Sequence, residues 1–203
     1  HVQNLTSLRT LFLNENPITC FVPEIFELFQ SLQSPHVGSA KITKPLWQTF
    51  PCNFSSLNIK TISVYSHNFT SFDCEPFLAY PGLYSLRLSF GFWTTFLSLK
   101  NAIKLKTLYF THMLITTLPN GTDIPSNNML RTLYLNNNPF TTIPLGFFDK
   151  MTKLEVVKIY YNQLKTLHEY IGLPGNLLTT LSFAHSPYLT SLPTDYLQGK
   201  QKE

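Results

Sequence analysis

The chain has 203 residues, 43% hydrophobic and 14% aromatic, with 13% charged residues against the roughly 25% of an average soluble domain. With 17 Phe, 10 Tyr and 14 Pro but 8 Gly and 3 Cys, it is not a disordered chain, a collagen-like or low-complexity chain, or a disulfide-stapled miniprotein. A net charge of +4 is too mild to argue for nucleic acid, where a clustered basic stripe is expected.

His1-Val2-Gln3-Asn4 does not read as a signal peptide, having no charged region followed by an apolar run. The first periodic unit follows, as Leu8-Leu11-Leu13-Asn16-Ile18-Phe21. A degraded unit starts at Leu32 and runs through Val37, Ala40 and Ile42. Ile59-Ile62-Val64-His67-Phe69-Phe72 and Leu83-Leu86-Leu88-Gly91-Trp93-Phe96 come next. The apolar stretch from Phe77 to Leu99 is broken by Pro81, Gly82, Arg87 and Gly91, so it is not a bilayer span. Leu105-Leu108-Phe110-Met113-Ile115-Leu118 is followed by Leu130-Leu133-Leu135-Asn138-Phe140-Ile143. Leu154-Val157-Ile159-Asn162-Leu164-Leu167 and Leu178-Leu181-Phe183-Ser186 end the series. Eight units therefore start near 8, 32, 59, 83, 105, 130, 154 and 178, each 22 to 27 residues long.

This is the leucine-rich-repeat pattern L-x-x-L-x-L-x-x-N-x-L. In L-x-L the two apolar residues share one face of a short strand, and the residue between them faces out. A single unit cannot bury its apolar face alone, so neighbours stack around a continuous core. The spacing predicts an α/β solenoid of about eight repeats over 1–203, with a curved parallel sheet on the concave face and a mostly irregular or short-helical convex side. The Asn position turns inward to bond backbone groups, and only Asn16, Asn138 and Asn162 keep it. Ala40, His67, Gly91, Met113 and Ser186 replace it elsewhere, so the Asn ladder is expected to be interrupted, with repeats 2 and 4 least regular.

The run Ile143-Pro144-Leu145-Gly146-Phe147-Phe148, with Leu118-Pro119 and Leu192-Pro193, resembles the extracellular repeats of Toll-like receptors and lamprey variable lymphocyte receptors. The resemblance implies a phenylalanine spine on the convex side, at Phe26, Phe77 and Phe148. It also implies a cell-surface or secreted recognition protein, receptor- or immune-recognition-like, that binds macromolecules and is not an enzyme. Cys-rich terminal caps of the kind that family carries are absent from both ends, so the expectation is a section of a longer chain, or ends covered by neighbouring subunits.

Searching for catalytic chemistry gives little. There is no G-x-S-x-G, H-E-x-x-H or paired C-x-x-C, and the six His have no ligand spacing, so no cofactor or metal is expected. His67 falls on the inward position as a structural residue, while His112 and His185 fall on the concave strand edge. Cys52 and Cys74 lie in the convex segments of consecutive turns; a disulfide between them and buried or free thiols both remain open. Sequons at Asn4, Asn53, Asn68 and Asn120 all fall outside the strand motif, making them glycosylation candidates that leave the concave face clear.

The expected concave face presents Arg9, Phe12 and Asn14, then Lys60, Ser63 and Tyr65, then Tyr84, Arg87 and Phe90. Lys106, Tyr109 and His112 follow, then Arg131, Tyr134 and Asn136, then Glu155, Lys158, Tyr160 and Tyr161. Six of the 15 Lys and Arg fall there against two of the 11 acids, Glu15 and Glu155. Tyr and Arg are the residue types that most often carry interface energy. Tyr84, Arg87, Lys106, Tyr109, Arg131, Tyr134, Lys158, Tyr160 and Tyr161 are therefore the candidate ligand-binding residues, and a protein with an acidic patch is the expected partner. The competing reading is a structural subunit of an extracellular matrix or cell-surface assembly, docking through its ends and convex side.

Overall fold

The computed structural model describes residues 5–13, 16, 31–38, 59–65, 82–168 and 177–192. Within them lie eight strands: β1 (Thr10–Phe12), β2 (Ser34–Gly38), β3 (Thr61–Tyr65), β4 (Ser85–Ser89), β5 (Thr107–Thr111), β6 (Thr132–Tyr134), β7 (Val156–Lys158) and β8 (Thr180–Ser182). They form one parallel sheet in chain order, each strand bonded to the next. Parallel neighbours need a long return path. Here each path is the rest of a repeat, and the chain winds as a leucine-rich-repeat solenoid.

The register follows the leucine frame. Leu86 pairs with Leu108, Leu108 with Leu133, Leu133 with Val157 and Val157 with Leu181, so one apolar row crosses five strands. A second row runs from Val64 through Leu88 to Phe110. Both rows face inward and join a single buried cluster extending from Leu32 to Leu167. Burying one such side chain stabilises by about 1.5–3 kcal/mol, and the cluster is linear because each turn can lend its face only to its neighbours.

The degraded second unit departs from the frame for a visible reason. Pro35 stands opposite Leu11, and the ladder from β2 to β3 begins only at His36 paired with Ser63. Proline has no N–H to donate to the next strand, so the ladder starts two residues after the strand itself does at Ser34. Repeat 4 shows no such weakness: β4 pairs over all five residues with both β3 and β5. Gly91, which takes the Asn position in this repeat, lies beyond the strand and is buried, so its lack of an amide leaves the ladder intact.

The return paths of the described turns are largely irregular, with one 3-10 turn at Gly121–Asp123 capped by Asn120. Their packing is aromatic. Phe147 and Phe148 are both fully buried, edge to face at 4.8 Å, and Phe96 meets Phe147 at 5.7 Å and Phe110 at 5.6 Å. The Phe148 spine position is thus shared with Phe147; Phe26 and Phe77 lie outside the described residues.

At the inward Asn position the side-chain amide bonds backbone carbonyls. Asn138 donates to the carbonyls of Leu135 at 3.0 Å and Asn136 at 3.3 Å, and reaches the previous turn at Phe110, 2.9 Å. Met113 occupies the matching place in that turn and has no amide to offer the Phe110 carbonyl, so the following turn supplies one. Asn162 donates to the Ile159 carbonyl and accepts from the Leu164 N–H at 2.8 Å. Ser186 donates its hydroxyl to Phe183 at 2.8 Å, a shorter side chain making the same bond to the residue three back. His67 and Ala40 lie outside the described residues.

Candidate functional site

Strand alternation places the residue between each pair of inward leucines on the concave surface. The register therefore sets Arg87, Tyr109, Tyr134 and Lys158 side by side on four successive strands. The Tyr109 and Tyr134 rings are stacked, with centroids 4.4 Å apart and planes 15° from parallel. The guanidinium of Arg87 lies 4.0 Å over the Tyr109 ring, and the ammonium of Lys158 lies 5.2 Å over that of Tyr134. Two rings are thus held between two cations, each contact worth roughly 0.5–2 kcal/mol. Arg87 also donates to the Tyr65 hydroxyl at 3.0 Å. Desolvation opposes its charge, but the Tyr65 and Tyr109 phenols outweigh it and hold its pKa above the usual arginine value.

A second row lies beside the first, at the residue preceding each strand. Lys106 sits 4.9 Å over the exposed ring of Tyr84, and Arg131 is paired with Glu155. Both partners of that ion pair are substantially exposed, so its own contribution to stability is small. One cation of the surface is therefore neutralised within the protein.

A third row follows the strands. Phe90, His112, Asn137, Tyr161 and His185 all have positive φ, between 54° and 61°, at the same place in five successive units. This left-handed step turns the chain out of the sheet and aims the side chains along its edge. Phe90 stacks on His112 at 4.2 Å and Tyr161 on His185 at 4.3 Å. Burial lowers the pKa of His112. Tyr160 meets Tyr161 edge to face at 5.5 Å, joining this row to the concave surface.

Two cavities border these rows. One of about 330 Å³ on the concave surface is lined by Arg87, Tyr65, Tyr109, Tyr134 and Tyr160, with Ser89, Thr111, His112, Asn136 and Asn137. The other, an open groove of about 840 Å³, follows the sheet edge over four turns, from Met113 and Leu114 to Ser186 and Pro187.

Most expected outward residues stand where the frame puts them, including Phe12, Phe90 (53% exposed) and Tyr161 (51%). Two do not: Ser63 is 1% exposed and Asn136 5%. The Asn136 side chain is spent on structure, accepting the Tyr160 N–H at 3.1 Å. One further row, Thr61, Ser85, Thr107 and Thr132, is aligned in register on the concave side and is not among the expected outward residues. The same repeat offset that aligned the tyrosines would have found it. Asn120 is exposed in a loop away from the sheet, its carboxamide accepting from the Thr122 hydroxyl at 2.6 Å. Asn4, Asn53, Asn68, Cys52 and Cys74 lie outside the described residues. Among the described residues, no group of three or more His, Cys, Asp or Glu is placed to hold a metal, and no helix is long and apolar enough to cross a membrane.

Leucine-rich-repeat family models match residues 128–175 and 7–29. A search of curated proteins found no match. Among solved structures, a leucine-rich-repeat protein of Leptospira interrogans is 26% identical with a TM-score of 0.68, over 89% of this chain and 44% of that one. A chain of the TLR13–ssRNA13 complex is 22% identical with a TM-score of 0.64, over 87% of this chain and 25% of that one. A chain of the Toll–Spatzle complex of Drosophila is 17% identical with a TM-score of 0.65, over 89% and 27%. The chain thus spans between a quarter and less than half the length of these proteins. Bacterial and animal proteins share the likeness, and it is a likeness of fold.

Proposed function

We propose that the chain is an extracellular recognition module that binds a protein ligand with an acidic patch across the concave face of repeats 4 to 7. The observation that carries this reading is the row Arg87–Tyr109–Tyr134–Lys158, two stacked rings between two cations on the open face of a rigid sheet. A curved sheet could be solvated by Ser, Thr or Asn; placing four large side chains there instead offers the area and the planar donors that interfaces use. Their positive charge favours an acidic partner and speeds encounter more than it deepens affinity. By their names, one structural neighbour is held with single-stranded RNA and another with Spatzle. A protein is favoured here because the cations are few and one is already paired with Glu155. Exposure of Asn120 in a loop off the sheet suits a glycosylated surface protein.

The test is a binding screen of the parent chain and a Tyr109→Ala/Tyr134→Ala variant against a panel of secreted and cell-surface proteins, with a single-stranded RNA oligonucleotide alongside. Acidic proteins should bind the parent, weaken in salt, and lose at least about tenfold in the double variant. Circular dichroism should show the variant folded. If every partner binds both chains alike, the concave-face reading is wrong, and tighter binding to the oligonucleotide than to any protein overturns the choice of partner.

A further inference from the structure

Resting on the concave-face reading, we infer that the 330 Å³ cavity beside Arg87 is a discrete oxyanion subsite. It would take one carboxylate, sulfate or phosphate group carried by the ligand. Arg87 is the single formally charged residue of its lining. The ion pair found among the described residues is Arg131–Glu155, so no acid there neutralises the Arg87 guanidinium. That group is half-buried and fixed on two sides, by the Tyr65 hydroxyl at 3.0 Å and by the Tyr109 ring 4.0 Å beneath it. Tyr109 is in turn backed by Tyr134.

A half-buried charge without a counter-charge costs stability, and an oxyanion offsets that cost. The geometry suits one. A guanidinium carries five N–H donors in a planar fork, more than Tyr65 and Tyr109 take up between them. The fork is already oriented, so an incoming anion pays little side-chain entropy. Tyr109, Tyr134 and Tyr160 line the same cavity, and a phenolic hydroxyl is a donor of the kind an oxyanion's remaining lone pairs take. In the same lining the Ser89 and Thr111 hydroxyls bond one another at 2.9 Å, which uses one of their two O–H donors. Lys158 completes the row but lies outside this lining, so it draws the ligand in without gripping its anion.

The experiment is an NMR titration of the whole chain with sodium acetate, sodium sulfate and inorganic phosphate, each against sodium chloride at matched ionic strength. The guanidinium N–H of Arg87 and the ring protons of Tyr109 are followed. Saturable shifts at both are expected from at least one oxyanion and none from chloride. Arg87→Gln should weaken the response by about tenfold or more, and Arg87→Lys, which keeps the charge and loses the fork, by a smaller factor. Preference for acetate assigns the group to an acidic side chain, and preference for sulfate or phosphate to an ester. Absence of saturation with all three anions, or an undiminished response in both Arg87 variants, overturns the subsite. If the tyrosine double variant loses its partner while no anion titrates Arg87, the subsite fails and the concave-face reading stands. If anions titrate Arg87 but every partner ignores the tyrosines, the concave-face reading fails and the anion site stands alone.

Discussion

The carboxamide of Asn138 donates to the carbonyl of Phe110, 28 residues earlier in the chain, at 2.9 Å. Two more carbonyls, of Leu135 and Asn136, converge on the same nitrogen. Asn138→Ala leaves three carbonyls without that donor in a site almost closed to water. The expected loss is about 1–3 kcal/mol in a denaturant unfolding curve. Asn138→Asp should cost more than Ala, because it keeps the shape, removes the donor and buries a carboxylate facing carbonyl oxygens. Equal stability of the two variants would show that the amide does not hold these turns.

Gly121 and Gly146 lie against each other on two consecutive return paths. A Cβ on Gly121 would stand 2.2 Å from the Gly146 carbonyl oxygen, so the backbone itself must move. Gly121→Ala should destabilise by about 1–3 kcal/mol. Gly146 has φ +78°, and a Cβ there would meet only the flexible carboxylate of Asp149 at 3.3 Å. Gly146→Ala should therefore cost about 1 kcal/mol, and Gly146→Asn less, since Asn tolerates the left-handed region. Thermal melts that reverse this order would contradict the packing described.

How far the sequence could foresee all this differs by level. The frame was legible because inward leucines recur at a fixed step, and the same step paired Leu133 with Val157 and Tyr109 with Tyr134. The second unit was legible only as a degraded repeat from Leu32, because Pro35 stands where the frame has an inward leucine. The left-handed backbone of the third row was not legible: Phe90, His112, Asn137, Tyr161 and His185 are of four residue types, and glycine, the usual signal of positive φ, is absent from it. Nor does a strand pattern tell which outward side chains are consumed by structure. Asn136 looks like a binding residue until its oxygen is found on the Tyr160 N–H.

Arg131 and Glu155 face each other across neighbouring repeats, both well exposed. A double-mutant cycle with Arg131→Met and Glu155→Gln should give a coupling of roughly 0.2–1 kcal/mol at low salt, falling toward zero in 0.5 M sodium chloride. Glu155→Gln also releases the arginine, so binding of an acidic ligand should strengthen while stability hardly changes. A variant that lost binding while keeping its stability would place Glu155 in the interface itself.

His112 lies face to face with Phe90, and burial lowers its pKa from the ordinary histidine value. The folded chain therefore holds this proton less tightly than the unfolded chain does. The stabilising contribution is complete above the ordinary histidine pKa and is lost as pH falls through the lower, folded value. In NMR the His112 imidazole should titrate below a histidine in an unstructured peptide. Phe90→Ala opens the ring to water and should bring the titration back up. Between pH 7.5 and 5 the parent should lose more stability in urea than a His112→Gln variant, because glutamine has no proton to take up. If Phe90→Ala left the titration where it was, the desolvation would have to come from the strand side of the ring. The stacked pair would then owe its geometry to the left-handed backbone at both residues and not to the contact between the rings.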